Sequence, residues 1–262
     1  GIAHGERERG GFSGVQAAQT GAGFNGKLRD YQREGLGWLQ FLRRFGFGGC
    51  LADDMGLGKT VQVLALLDSA ERTLPSLIVA PRSLIFNWKQ EAARFTPRLR
   101  ILDHTGADRM TRLAEIHSHD VILTTYGTLR RDAPLLKDIH FDTVVLDEAQ
   151  AIKNAATGGA KAARLLKADH RLAVTGTPVE NRLGDLWSLF EFLNPGMLGT
   201  STVFKRATAE IRNPDEDMRT LLRRALRPFL LRRTKDAVAK DLPDRLEETI
   251  WCELGGSQRR LY

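Results

Sequence analysis

Several features that would place a chain in a membrane or in a secreted scaffold are scarce in this sequence. Its 262 residues contain no apolar run long enough for a membrane span, which needs about 20 residues. A cationic start followed by an apolar segment is also lacking, so no signal peptide is expected in this chain. The two cysteines are Cys50 and Cys252. Their wide separation predicts buried, reduced thiols and argues against a disulfide framework.

Clusters of metal ligands are lacking as well. His117 and His119 flank Ser118, but no cysteine or carboxylate set lies at ligand spacing from them. We therefore expect no metal at this pair of histidines. Tryptophan is rare, and its large apolar ring favours core packing over base stacking. The tryptophans are Trp38, Trp88, Trp187 and Trp251.

Positive charge exceeds negative charge. Lys and Arg total 39 against 32 Asp and Glu, which gives a net charge of +7. A basic balance favours a polyanionic partner such as nucleic acid, although many basic proteins bind none. Between Arg219 and Lys235 there are seven basic residues and no acidic one. A salt-bridged, solvated surface is the alternative interpretation of this run.

Short apolar stretches alternate with helical patterns from Gly48 to about Leu193. The predicted strands are Cys50–Ala52, Ser76–Ala80, Leu99–Leu102, Val121–Thr124, Thr143–Leu146 and Arg171–Thr175. The predicted helices are Lys59–Arg72, Leu84–Phe95, Ala107–His117, Ala160–Lys167 and Leu183–Leu193. Strands this short and this continuously apolar are typical of a parallel sheet covered on both faces. The alternation predicts a doubly wound α/β domain with ligands at the carboxyl ends of its strands.

The ends of the chain differ from this central part in composition. Residues 1–26 are rich in glycine and predict a flexible lead-in, whereas helical spacing begins near Leu28. The α/β pattern extends over 27–200. Residues 201–245 are helical and Arg-rich, without strands over 201–240, and predict a small projecting subdomain. The alternating stretch Leu246–Leu254 predicts a final strand.

The strongest local signal is the loop Asp53–Thr60, which follows an apolar strand and opens a helix. Glycines let backbone N–H groups approach phosphate oxygens, and a helix N-terminus supplies partial positive charge. Here Lys59 would reach the β- and γ-phosphates, and the Thr60 hydroxyl would ligate magnesium. The strict P-loop pattern has Gly where this chain has Asp53, so the match is incomplete. The strand–loop–helix context still predicts a nucleotide site over an ordinary glycine turn.

A second signal is the carboxylate pair Asp147 and Glu148, directly after the apolar run Thr143–Leu146. Carboxylates at the end of a buried strand are costly unless something neutralises them. Magnesium can do this for Asp147, and Glu148 can orient a water toward the γ-phosphate. The alternative is that Asp147 only caps the next helix. The phosphate loop upstream favours the catalytic interpretation.

With these two motifs in place, the chain resembles the Swi/Snf branch of the superfamily-two helicase-like motors. The ordered matches cover about residues 27–262 and are Leu28–Leu39, Asp53–Thr60, Val79–Leu84 with Asn87 and Trp88, Leu123–Tyr126, Asp147–Asn154, Thr175–Pro178 with Asn181, and Phe229–Lys235. The resemblance implies a RecA-like P-loop domain with a mostly parallel sheet and a helical protrusion, and it implies that residues 246–262 hold the final strand and the start of a linker to another lobe. It also implies the N-terminal ATPase lobe of a double-stranded DNA translocase that remodels chromatin or other protein–DNA complexes.

The resemblance further assigns roles to single residues. Lys59, Asp147 and Glu148 are the expected catalytic residues, and Thr60 and Asp147 the expected ligands of Mg²⁺. Gln32 corresponds to the glutamine that reads the adenine edge. The expected ATP-binding set is Gln32, Met55, Gly56, Leu57, Gly58, Lys59 and Thr60. The expected contacts to the DNA backbone are Arg82, Ser83, Lys89, Thr125, Lys153, Asn181, Arg232 and Arg233. The expected coupling residues are Gln150, Thr175, Gly176 and Thr177.

The chain also departs from the family pattern. Gln150 stands where many members have His, and the second RecA-like lobe with its arginine finger is expected to be missing from this chain. An isolated lobe that binds ATP and DNA with negligible turnover is therefore one alternative. A lobe of an RNA helicase is another, although Leu231–Lys235 argues against it. If the protein is bacterial, we expect it in the cytoplasm, associated with the nucleoid. If it is eukaryotic, we expect it in the nucleus.

Overall fold

A sheet of seven parallel strands organises the chain. The computed structural model describes residues 16–71, 73–176, 183–202, 204, 222 and 224–238. The strands are β1 (Gly49–Leu51), β2 (Ser76–Ala80), β3 (Ile101–Asp103), β4 (Val121–Thr125), β5 (His140–Leu146), β6 (Lys167–Val174) and β7 (Leu230–Leu231). Their order is β3-β4-β2-β5-β6-β1-β7, and every pairing is parallel. The predicted α/β class with a mostly parallel sheet is confirmed.

Helices cover both faces of this sheet. They are α1 (Asp30–Arg44), α2 (Lys59–Ser69), α3 (Ile85–Phe95), α4 (Tyr126–Leu136), α5 (Gly158–Leu165), α6 (Leu183–Leu193) and the short α7 (Lys235–Val238). Helices α1 to α3 form one apolar cluster with alternate strand residues such as Ile78 and Val145. Helices α4 to α6 pack on the other face, against residues such as Val79 and Leu146. Because both faces are covered, β2 is buried along its whole length.

Two stretches fold differently from their predicted form. Ala107–His117 is not one α-helix but two 3₁₀ segments, Ala107–Met110 and Leu113–Ser118. Here Asp108 O accepts bonds from both the amide and the hydroxyl of Thr111, which favours tight turns over an α-helix. Helix α4 was not predicted, because Gly127 and Pro134 obscure its pattern. It forms because Thr125 caps it, accepting a bond from the amide of Thr128, and because one of its faces is buried.

The lead-in is fixed to the domain from residue 16 onward, so the prediction of a flexible segment is wrong for residues 16–26. The amide of Ala18 donates to Arg33 O at 2.9 Å, and the amide of Asn25 donates to Phe95 O at 2.7 Å. Phe24 stacks on the Phe95 ring with 5.8 Å between centroids. Residues 16–26 therefore form a strap that is held against α1 and α3 by backbone hydrogen bonds and by the Phe24 ring, although it contains few large apolar residues.

Strand β7 corrects the prediction that residues 201–240 lack strands. Leu230 and Leu231 pair with Cys50 and Leu51 of β1, so this segment belongs to the sheet. Trp38 Nε1 donates to Pro228 O at 2.9 Å and holds the approach to this strand. The predicted domain boundaries otherwise stay a prediction. Leu246–Leu254, Trp251 and Cys252 lie outside the described residues.

Two further expectations concern Cys50 and the membrane. Cys50 is fully buried and has no disulfide partner among the described residues, and burial raises the pKa of its thiol to about 12. The thiol therefore stays protonated, as predicted for a reduced core cysteine. Within the part of the chain that the structure describes, no helix has the length and apolar character to cross a membrane.

Gly37 and Gly184 offer a matched test of the strap. A Cβ on Gly37 would lie 1.8 Å from Gln16 O, whereas a Cβ on Gly184 meets nothing within 4 Å. Gly37→Ala should therefore displace residues 16–18 and cost about 1–3 kcal/mol of unfolding free energy. Gly184→Ala should be neutral or stabilising by up to about 1 kcal/mol. Urea unfolding and hydrogen exchange of the strap check this, and unchanged exchange in Gly37→Ala would contradict it.

Candidate nucleotide and nucleic-acid site

The phosphate loop runs from the end of β1 to the start of α2. Gly56 and Gly58 have φ values of 88° and 73°, in the left-handed region that favours glycine. Gln32 lies directly against this loop, since its Nε2 donates to Leu57 O at 3.1 Å. A Cβ on Gly58 would lie 2.5 Å from the same nitrogen. The predicted adenine residue and the predicted phosphate loop are therefore in contact.

Lys59 is the first residue of α2, and Thr60 the second. The Lys59 ammonium donates to Asp53 O at 2.7 Å and to Asp54 O at 3.1 Å. Burial lowers the pKa of Lys59, while the carboxylates of Asp53, Glu148, Asp147 and Asp54 oppose that shift. The loop lysine and the acidic pair are thus close enough to influence each other electrostatically.

Asp147 follows β5 and is buried, with only 7% of its surface exposed. Burial raises the pKa of its carboxyl, and the charge of Glu148 adds to this shift. Two donors oppose it: Trp88 Nε1 at 2.8 Å from Oδ2, and the Glu148 amide at 2.9 Å from Oδ1. Tyr126 holds the backbone, because its hydroxyl donates to Asp147 O at 2.7 Å. The carboxylate is oriented but keeps an unfavourable charge.

Glu148 starts a chain of hydrogen bonds that reaches the next strand. Gln150 Nε2 donates to Glu148 Oε2 at 2.7 Å, and Thr175 Oγ1 donates to Gln150 Oε1 at 3.0 Å. A Cβ on Gly176 would lie 3.8 Å from Lys59 Nζ. Glutamine can donate to one neighbour and accept from another, so it bridges here without histidine. The structure brings together three of the predicted coupling residues; Thr177 lies outside the described residues.

The predicted DNA contacts lie in different surroundings. Arg82 and Ser83 are exposed after β2, and Lys153 is exposed beyond β5. Thr125 caps α4, so its hydroxyl already bonds within the chain. Lys89 pairs with Asp103 at 3.0 Å. Asn181 lies outside the described residues.

Arg233 requires a correction. It was predicted to contact DNA, but its side chain is only 11% exposed and pairs with the buried carboxylate of Asp53. Arg232, its neighbour, is exposed. Alternation along the extended segment after β7 explains the difference, because neighbouring side chains point to opposite sides. DNA contact by Arg232 stays a prediction, whereas the Arg233 side chain is bound to the loop through Asp53.

Sequence reasoning missed what Trp88 and Tyr126 do at the site. Trp88 was assigned to core packing, and it is indeed buried, but its N–H reaches the Asp147 carboxylate. Neighbouring parallel strands place the segments that follow them side by side, and β2 pairs with β5. A pairing of these strands would have predicted that α3, which contains Trp88, lies near Asp147. Buried tryptophan usually satisfies its N–H, so a nearby acceptor was to be expected.

A divalent cation fits the donor set at this site. Within the described ranges, no group of three or more His, Cys, Asp or Glu residues could hold a metal by itself. Mg²⁺ is usually bound by one or two protein oxygens together with phosphates and waters. Asp147 and Thr60 could supply these oxygens. A cation would stabilise the buried carboxylate of Asp147, whose pKa is raised by burial.

A parallel α/β sheet that gathers a glycine-rich loop, a lysine and two carboxylates at one edge defines a RecA-like P-loop domain. The family comparison agrees, since a model of the SNF2-related domain matches residues 31–262. The chain belongs to the SNF2-related domain family. The SWI2/SNF2 ATPase core of Sulfolobus solfataricus, solved in complex with dsDNA, is 41% identical with a TM-score of 0.81. The match covers 94% of this chain and 53% of that one.

Curated relatives give a consistent result. YwqA of Bacillus subtilis, which carries the name ATP-dependent helicase/translocase, is 46% identical over 91% of this chain. The TATA-binding protein-associated factor MOT1 of Saccharomyces cerevisiae is 36% identical over 90% of it. The chain spans 27% of the length of the first protein and 14% of the second. It therefore corresponds to a fraction of each relative.

Replacing Trp88 with Phe tests the donor to Asp147. Loss of a buried bond to a charged group should lower the unfolding free energy by about 1.5–3 kcal/mol. It should also raise the Asp147 pKa further, because the lost bond favours the charged form. When the folded-state pKa of a carboxyl lies above its unfolded value, the protein loses stability as the pH rises above that pKa. The loss of unfolding free energy in Trp88→Phe should therefore be larger at neutral than at acidic pH.

Trp187→Phe is the matched control for this experiment. Trp187 Nε1 donates at 3.0 Å to the neutral acceptor Gly199 O, so its loss should show little pH dependence. Denaturant unfolding of both variants from acidic to neutral pH provides the measurement. Equal pH dependence in the two variants would show that Trp88 does not act on the Asp147 carboxylate.

Proposed function

We propose that this chain is the N-terminal ATPase lobe of an ATP-dependent translocase that moves on double-stranded DNA and remodels protein–DNA complexes. The observation that carries the proposal is the convergence of Lys59, Asp147 and Glu148 at one sheet edge, where their charges influence one another. The hydrogen-bonded series from Glu148 to Thr175 supports it. So does the 41% identity to an ATPase core solved with dsDNA.

Each residue of the site has a proposed role. Lys59 holds the triphosphate and offsets its developing charge. The Thr60 hydroxyl and Asp147 would hold Mg²⁺, which would supply further positive charge to stabilise the reacting phosphates. Glu148 orients the attacking water. The bond from Gln150 to Glu148 and the bond from Thr175 to Gln150 keep that carboxylate in place and connect it to β6.

DNA is proposed to bind beside the nucleotide, along the carboxyl ends of β2 and β4. Arg82 and Ser83 follow β2, and Thr125 ends β4, so these groups share one edge with the phosphate loop. Contacts to the phosphate backbone carry no sequence information, which suits a motor that must grip every sequence equally. Lys153, beyond β5, and Arg232, beyond β7, are further exposed basic residues that follow strands of the same sheet.

Lys59→Ala and Glu148→Gln test the catalytic assignment in the full-length protein that carries this chain. Lys59→Ala should remove nucleotide binding. Glu148→Gln should retain binding but lower DNA-stimulated turnover by about 100-fold or more, because a neutral amide cannot take a proton from the attacking water as a carboxylate can. Lys137→Ala, at an exposed lysine after α4, is the control. Steady-state ATPase assays decide, and near-normal turnover in both site variants would refute the assignment.

Arg82→Ala and Lys89→Ala test the DNA surface. Arg82 is exposed, whereas Lys89 already pairs with Asp103 at 3.0 Å. Arg82→Ala should weaken duplex DNA binding uniformly across sequences and reduce the slope of log K against log salt by about 1. Lys89→Ala should change the slope less, because the Lys89 ammonium is already paired with Asp103 and neutralises less phosphate charge. Binding measured over a salt series checks this, and an unchanged slope for Arg82→Ala would contradict it.

A second candidate function is favoured by the 53% coverage of the Sulfolobus core. We propose that the 262 residues alone bind ATP and DNA but turn over slowly, because transition-state charge needs a further cation. Comparing turnover by this chain with turnover by the full-length protein tests the idea. Comparing the stimulation of ATPase activity by duplex DNA with that by RNA separates the DNA translocase from the RNA helicase alternative.

A further inference from the structure

The departure of the phosphate loop from the strict P-loop pattern has a counterpart elsewhere in the chain. Asp53 occupies the position at which that pattern has Gly, and its side chain is completely buried. A buried carboxylate is costly unless it is paired and hydrogen-bonded. Its partner is Arg233, which lies 180 residues away along the chain.

The contact between these two side chains is bidentate. Arg233 Nε donates to Asp53 Oδ1 at 3.0 Å, and Nη2 donates to Oδ2 at 2.5 Å. The backbone amide of Arg233 also donates to Oδ1, at 3.0 Å. Two parallel bonds from one guanidinium fix direction as well as distance, which a lysine cannot do.

The guanidinium holds more than the carboxylate. Arg233 Nη2 donates to Gln62 Oε1 at 2.9 Å, which connects it to α2. Nη1 donates to Tyr31 O, and the guanidinium lies over the Tyr31 ring. A Cβ on Gly35 of α1 would lie 2.8 Å from Nη2. The glycine at this position therefore leaves the space that the guanidinium occupies. One side chain thus joins α1, α2 and the start of the loop.

Backbone pairing runs through the same place. The Ala52 amide donates to Leu231 O at 2.7 Å, and the Asp54 amide donates to Arg233 O at 2.9 Å. The Lys235 amide donates to Asp54 Oδ2 at 3.1 Å. The pairing of β1 with β7 therefore continues past the end of both strands and into the phosphate loop. The segment 231–235 and the loop are held as one unit.

We propose that Arg233 is a positioning residue for the phosphate loop, and that the segment 231–235, at the end of the basic run, controls nucleotide affinity through the ion pair of Arg233 with Asp53. The proposal rests on the proposed function, because the ligand of the loop is the triphosphate assigned there. Residues 224–231 lead directly into this segment. A displacement of that part of the chain is transmitted to the loop that holds the phosphates.

A double-variant cycle in the full-length protein tests the proposal. The variants are Asp53→Asn, Arg233→Gln and both together, and the control is Arg227→Gln, which removes an exposed arginine from the same segment. Nucleotide affinity is measured with fluorescently labelled ADP in the absence of DNA, and melting temperature is followed in parallel. Each single variant should bind about tenfold more weakly, and the double variant no more weakly than either single one. The control should bind like the wild type.

Losses that multiply in the double variant would overturn the proposal, because they would mean that the two residues act independently. Affinity within twofold of the wild type in all folded variants would overturn it too. If the single variants do not fold, the neutral double variant decides, since the proposal requires it to bind more weakly than the wild type.

Hydrogen exchange of residues 53–60 separates this proposal from the proposed function. Arg233→Gln, or the double variant, should exchange these amides faster than the wild type, whether or not nucleotide binds. If the variants exchange faster but the wild type binds no ADP, the ion pair positions the loop and the nucleotide site is refuted. Unchanged exchange with normal ADP binding would refute the positioning role and leave the nucleotide site standing.

Discussion

Parallel pairing of the strands is the constraint on which the rest of the structure depends. Because every strand points the same way, the loops that follow β1, β2, β5 and β6 all emerge at one edge of the sheet. Charged groups far apart in sequence, such as Lys59 and Asp147, are therefore brought together without any direct pairing between their own elements. The buried strands supply the rigidity that holds these groups, and the edge supplies the room for a ligand.

Strand order divides that edge into two regions. Strands β1, β6 and β5 carry the phosphate loop, Gly176 and the acidic pair, while β2 and β4 carry Arg82 and Thr125. Asp147 lies at the boundary, since β5 pairs with β2 and the Trp88 indole donates to its carboxylate. Helix α3, which contains Trp88, begins just after Arg82. The region proposed for DNA and the region proposed for nucleotide are thus connected at Asp147, which accepts from the Trp88 indole and from the Tyr126 hydroxyl.

Much of this could be predicted from local sequence, and the remainder depended on distant residues. Apolar runs such as Ser76–Ala80 predicted a strand with correct bounds, and Lys59 was correctly placed at the start of a helix. Helix α4 was missed because Pro134 conceals a helix that a cap and tertiary packing stabilise. Arg233 was assigned to DNA because a run of basic residues does not reveal which member meets a buried carboxylate. Ion pairs between residues 180 positions apart leave no local pattern.

The backbone conformation of Glu148 determines how a harmful substitution at this position could be detected. Among the described residues it is the non-glycine residue with positive φ, at 48°, a conformation that costs an L-residue about 1–2 kcal/mol. Asparagine or glycine would adopt it more readily. A replacement that destroys the carboxylate can therefore leave the protein as well folded as before, or better, so screens for abundance or solubility would pass such an allele as healthy.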